Sequence, residues 1–151
     1  MKPNDRTTRT FRPSHALSVT LLLAGCTEAQ NQPPQTAPTP SVTVVTRAAL
    51  AGTRQRVGYY ADLNADCGFG GYPSVRTETV PAHGTVQIVQ GHGYTNYPST
   101  NQRYHCNAAK VPMIEIFYLP VDGYKGPDEM VLRAIYPGGT AATTKYVISV
   151  E

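Results

Sequence analysis

Gly, Pro and Asn recur at short intervals along residues 42–151, and the runs between them are rich in β-branched and aromatic residues. That punctuation leaves little room for a helix of several turns, whereas short strands fit between the breaks. Seven runs read as strands: Val42–Arg47, Gln55–Ala61, Val75–Val80, Thr85–Gln90, Met113–Leu119, Glu129–Tyr136 and Thr144–Val150. Met130, Leu132, Ala134 and Tyr136 fall on one face of their run, and Tyr146, Ile148 and Val150 on one face of theirs. A period of two belongs to a strand with one side against a core. Only residues 45–51 could open a helix, and Gly52 ends that run. The pattern predicts an all-β domain over 42–151, an antiparallel sandwich of about seven strands.

The connections have their own chemistry. Ile116–Tyr136 reads as strand, tight corner, strand, with Gly123 and Gly126 free to take positive φ. Asp128, just after Gly126-Pro127, is placed to accept backbone N–H groups and fix that corner. Pro81-Ala82-His83-Gly84 and Pro137-Gly138-Gly139 read as further turns between strands. Residues 91–107 (GHGYTNYPSTNQRYHCN) form a long polar stretch. A loop of that length inside a small domain is functional, mobile or pinned by a cross-link.

The N-terminal third is different. Residues 1–15 carry Lys2, Arg6, Arg9 and Arg12 against Asp5, and Ala16–Leu23 is largely apolar but too short to span a bilayer. This segment ends Leu23-Ala24-Gly25-Cys26 and resembles the lipobox of bacterial lipoproteins. The resemblance implies a signal peptide over 1–25, acylation of Cys26 and anchoring of an exported protein in a membrane. Thr27, rather than aspartate, follows the cysteine. By resemblance to lipoprotein sorting, that points to the outer membrane, facing the periplasm. Residues 26–41 hold Pro33, Pro34, Pro38 and Pro40 and no large apolar side chain, the composition of a solvated tether. At about 3.1 Å per residue such a tether reaches roughly 45 Å.

Removing the signal peptide also changes the charge. The thirteen Lys and Arg lose four and the ten Asp and Glu lose one, leaving nine of each. A neutral mature chain gives no reason to expect a nucleic-acid partner. With Cys26 committed to lipid, Cys67 and Cys106 remain in an oxidising compartment and are expected to pair.

Several motifs carry a family resemblance. Val80-Pro81-Ala82-His83-Gly84-Thr85-Val86, then Phe117-Tyr118-Leu119-Pro120, then Gly123-Tyr124-Lys125-Gly126-Pro127-Asp128 and an alternating strand are similar to bacterial immunoglobulin-like and cadherin-like repeats. The similarity spans residues 79–150 and implies an Ig-like fold, without implying a ligand. Met130 and Leu132 stand where those repeats carry aromatics.

Candidate chemistry is sparse. Asp66-Cys67-Gly68 is similar to the nucleophile region of papain-like peptidases. However, Gly68, Gly70, Gly71 and Pro73 forbid the helix that would activate a thiolate. His83, His92 and His105 lack the paired short spacings of a zinc site, and Asp62 and Asp66 lack the spaced acidic pattern of a calcium loop. No catalytic residue, metal ligand or cofactor is expected. All ten tyrosines lie in the mature chain, and Tyr94, Asn96, Tyr97 and Tyr104 sit in the long polar loop. Tyr, Asn, Ser and Gly together make adaptable binding surfaces. The expectation is a lipid-anchored, non-enzymatic envelope protein that contacts protein or glycan through this loop. The alternative is a small periplasmic inhibitor or accessory of a hydrolase.

Overall fold

The computed structural model describes residues 41–151. The expected signal peptide (1–25), Cys26 and all but the last residue of the expected tether lie outside the described residues. The elements are β1 (Val42–Ala49), β2 (Gln55–Tyr60), β3 (Ser74–Thr79), β4 (Gly84–Gly93), a 3-10 helix (Tyr104–Ala108), β5 (Val111–Pro120), β6 (Gly126–Ile135) and β7 (Ala141–Val150). They form a four-stranded sheet, β1-β7-β6-β3, and a three-stranded sheet, β2-β5-β4. Apart from β1, this strand order is that of the two halves of an immunoglobulin sandwich.

The alternating runs meet in the middle. Met130, Leu132 and Ala134 of β6 share one buried cluster with Ile116 and Tyr118 of β5 and with Tyr146, Ile148 and Val150 of β7. Burying each large apolar side chain fully contributes about 1.5–3 kcal/mol. Tyr136 is only partly buried, because β6 ends at Ile135 before the turn. That turn closes with Gly139 N–H donating to the Tyr136 carbonyl at 2.9 Å, and Gly139 has a φ of 82°.

Two details differ from the sequence expectation. The first strand pairs with β7 in parallel, Val42 opposite Thr143 through Ala49 opposite Val150, so the sandwich is not purely antiparallel. No tight turn links these two strands, so their relative direction is set by packing rather than by connection length. The same pairing removes the helix start at 45–51. Inward-facing Val45 and Ala49 are four residues apart, a spacing that suits a helix face and alternate residues of a strand equally. The 91–107 stretch also begins later than expected. β4 continues to Gly93, with His92 opposite Pro112 and Gly93 opposite Val111.

A second, smaller core sits beside the first. Leu63, Cys106, Val111 and Met113 are buried together, with Tyr59, Ala61, Cys67 and Tyr97 packed against them. Here Cys67 and Cys106 are joined, their Cα atoms 5.4 Å apart across 39 positions of sequence. Cys67 is the one described non-glycine residue with positive φ, at 67°. The turn that holds it is built from Cys67 N–H donating to the Asn64 carbonyl and Gly68 N–H donating to Asp66 Oδ1 at 3.0 Å. The carboxylate of Asp66 therefore serves as a turn acceptor.

The corner between β5 and β6 is clamped to a distant turn. Gly123 and Gly126 have φ of 74° and 137°. Tyr124 donates to the Pro127 carbonyl at 2.7 Å, and its ring stacks on His83 with centroids 3.9 Å apart. Asp128 is buried and does more than hold its own corner. Its Oδ1 accepts the N–H groups of Ala82 and Glu129, each at 2.9 Å. Its Oδ2 accepts the His83 N–H at 3.0 Å and the Tyr118 hydroxyl at 2.6 Å. Tyr118 lies directly beneath Gly84, where a Cβ would come within 2.3 Å of its ring. One carboxylate thus ties the 81–84 turn, the end of β5 and the start of β6 together.

Candidate functional site

The long loop is held down at several points. Asn107 Oδ1 accepts the Thr95 hydroxyl at 2.8 Å and the Tyr97 N–H at 2.9 Å, and Asn107 Nδ2 donates to the Tyr97 carbonyl at 2.9 Å. Tyr59 donates to Asn96 Oδ1 and accepts the Asn96 N–H at 2.9 Å. Arg103 Nε donates to the Leu63 carbonyl at 2.6 Å. The disulfide anchors the 3-10 helix that follows.

This pinned loop forms one wall of a trough. Its middle depression, about 290 Å³, lies between β1 and β2 and is lined by Tyr59, Tyr60, Tyr97, Tyr136 and Tyr146, with Arg47 and Asn96. A second, of about 220 Å³, shares Ala61, Tyr97 and Tyr136 with it and adds Asp62 and Arg103. A third, also about 220 Å³, shares Arg47, Gly58, Tyr59 and Asn96 with the middle one and adds Arg56 and Tyr94. The middle volume alone sits near the lower end of the range for small-molecule sites.

The floor is built by a glycine. A Cβ on Gly58 would stand 2.2 Å from the Tyr146 hydroxyl, so only glycine lets that ring rise between the strands. Beside it, Tyr60 is 6% exposed, and its hydroxyl is sealed from solvent near that of Tyr146, without a hydrogen bond of good geometry among the described residues. Arg47 spans the gap between the sheets, Nε donating to the Val57 carbonyl at 2.7 Å and Nη1 to the Thr46 carbonyl at 2.9 Å. β2 bulges at that point, between Arg56 and Gly58.

Burial favours the protonated phenol at Tyr97, Tyr136 and Tyr146. It raises Tyr146, with Tyr60 adding to the effect, and it pushes Tyr136 up to about 12, again with Tyr60 as the next cause. Burial also raises Tyr97, against the opposing charge of Arg103. Each folded value lies above the ordinary 10.0, so the associated stability is fully present below pH 10.0 and is lost as pH rises through the folded values. The urea midpoint is therefore expected to hold steady to about pH 10 and to fall above it, more gently in Tyr136→Phe. A midpoint that is level between about pH 9 and pH 11 would count against this burial.

Of the four loop residues singled out in the sequence, the trough gathers three: Tyr94, Asn96 and Tyr97. Tyr104 is exposed on the 3-10 helix and lines none of the three depressions. The sequence expectation omits Arg47, Gly58, Tyr60 and Tyr146 from the site, although Gly58-Tyr59-Tyr60 carried a signal. Adjacent tyrosines on a strand point to opposite faces, so the pair serves both core and rim. Among the described residues, the one grouping with metal-ligand potential is Cys67, His105 and Cys106. Its two sulfurs are bonded to each other, so it offers no thiolate.

No family model, curated protein or solved structure matches this chain.

Proposed function

We propose that this chain is a lipid-anchored binding module of the cell envelope, non-enzymatic, that holds a protein or glycan in its tyrosine trough. The observation that carries this reading is the cleft itself, lined by the partly exposed Tyr59, Tyr97 and Tyr136 with Arg47 and Asn96 and closed beneath by the buried Tyr60 and Tyr146. The site also mixes apolar ring faces with hydroxyl, amide and guanidinium groups, the mixture that adaptable recognition surfaces use. The loop, tied by Asn107 and by Cys106, serves better as a fixed wall than as a plug reaching into another protein's cleft. The lipobox-like Leu23-Ala24-Gly25-Cys26 supplies the anchor and the exported, outer-membrane location in this reading.

The test uses Cys26→Ser, expected to be released from membranes as a soluble exported chain. That soluble form is expected to cosediment with the insoluble envelope fraction. Tyr94→Ala combined with Tyr97→Ala should abolish cosedimentation, and Tyr104→Ala should leave it intact. Equal sedimentation of the double variant and its parent would sink the proposal.

A further inference from the structure

The trough's chemistry narrows the ligand class, an inference that rests on the reading of the trough as a ligand site. We propose that it takes a linear oligosaccharide, with successive pyranose units seated in the three linked depressions. The first reason is what the walls exclude. β1 and β2 flank the middle depression, and a peptide could in principle add to either edge by backbone pairing. Beside the third depression, however, Arg47 already occupies the Val57 and Thr46 carbonyls at 2.7 and 2.9 Å, and β2 is bulged there. Strand addition therefore has no continuous ladder to extend. Recognition has to come from side chains.

The second reason is what those side chains offer. A pyranose has apolar C–H faces and a rim of hydroxyls, each of which donates and accepts. Tyrosine presents the same pair of surfaces, an apolar ring and a hydroxyl that does both. Of the five tyrosines lining the middle depression with Asn96, Tyr59, Tyr97 and Tyr136 are partly exposed, and no carboxylate lines it. Asp62 enters only at the second depression, where Arg103 also lies. Neutral sugars fit this lining, and Arg47 leaves room for an acidic substituent.

The third reason is the repeat. Three depressions that share walls suit a chain of similar units better than a single compact ligand.

The experiment titrates the full exported Cys26→Ser chain with chitotetraose, cellotetraose and maltotetraose by calorimetry. At least one is expected to bind with a Kd on the order of 1 mM or tighter. Tyr94→Ala is expected to weaken that binding by about tenfold while leaving the thermal midpoint within about 3 °C, since the ring is 54% exposed beside the third depression. A merely structural Tyr94 would not separate the two readouts. Asn96→Ala, on the exposed rim, should also weaken binding and provides a second variant if Tyr94→Ala fails to fold. Failure of all three sugars to bind would overturn the proposal, as would undiminished binding by both variants. Binding of a peptide spanning residues 31–40 (NQPPQTAPTP) in place of the sugars would reassign the trough to proline-rich chains. If envelope cosedimentation still depends on Tyr94 and Tyr97 while no sugar binds, only the saccharide assignment falls. Loss of both removes the binding reading as well.

Discussion

Replacing Cys67 and Cys106 together with alanine is expected to cost about 4 kcal/mol of unfolding free energy, from the loop-closure entropy restored to the unfolded chain. The magnitude follows from the 39-residue separation of the two cysteines. For a domain of roughly 110 residues this lowers the thermal midpoint by about 15–25 °C. The loss has a second, local part. Cys106 is 2% exposed in the small core with Leu63, Val111 and Met113, and the disulfide is what brings Cys67 and the 61–73 connection against it. Untying it also loosens the wall that carries Tyr97. Thermal unfolding monitored by circular dichroism, with and without reductant, checks this directly. A midpoint within about 3 °C of the parent would show that the staple adds little to packing already present.

Asp128→Ala is expected to destabilise by about 3 kcal/mol, because one buried carboxylate accepts four hydrogen bonds. The exposed Ala82 and His83 N–H groups can recover water, but the buried Tyr118 hydroxyl cannot. Asp128→Asn keeps the shape and costs less, about 1–1.5 kcal/mol, since its amide turns one acceptor into a donor. The two variants also differ from the parent in acid. Burial by itself would raise the Asp128 carboxyl, yet the Tyr118 hydroxyl and the N–H groups of Ala82, His83 and Glu129 together hold it below its ordinary 3.8. A lowered folded value means that this stability is fully present above 3.8 and is lost as pH falls through the folded value. Urea unfolding from about pH 6 down to pH 2 should therefore show a parent curve that steepens in acid and a flatter Asp128→Asn curve. Parallel curves would show that the carboxylate's charge is not what the turn uses.

Local pattern made most of the strands legible. Met130, Leu132 and Ala134 alternate with Val131 and Arg133, and that alternation alone marks a strand with one buried face. Gly123, Gly126 and Gly139 mark corners, because a positive φ is a property of single residues and needs no tertiary information. The same local logic gave the strand at Val42–Arg47 but left residues 45–51 open to a helix start as well. Their apolar spacing suits two periods, and only the partner strand β7 decides between them.

The candidate site was legible only in part, for a related reason. Tyr94, Asn96 and Tyr97 are close in sequence and stand out by composition. Arg47, Gly58, Tyr60 and Tyr146 come from three different strands, and nothing local says that they converge. Tyr104, although it belongs to the same loop, is carried away by the 3-10 helix at Tyr104–Ala108.

By itself the sequence determined the all-β class, the approximate position of seven strands, the corners between them and the expectation that Cys67 pairs with Cys106. Each of these follows from short-range backbone preference, from period-two burial or from counting thiols. The tertiary structure alone decided that β1 runs parallel to β7, that Asp128 reaches back to the 81–84 turn, and that five tyrosines line one depression. Those are long-range outcomes. They depend on which faces meet when two sheets pack, and a side chain's neighbours across that gap are not written in its own stretch of chain.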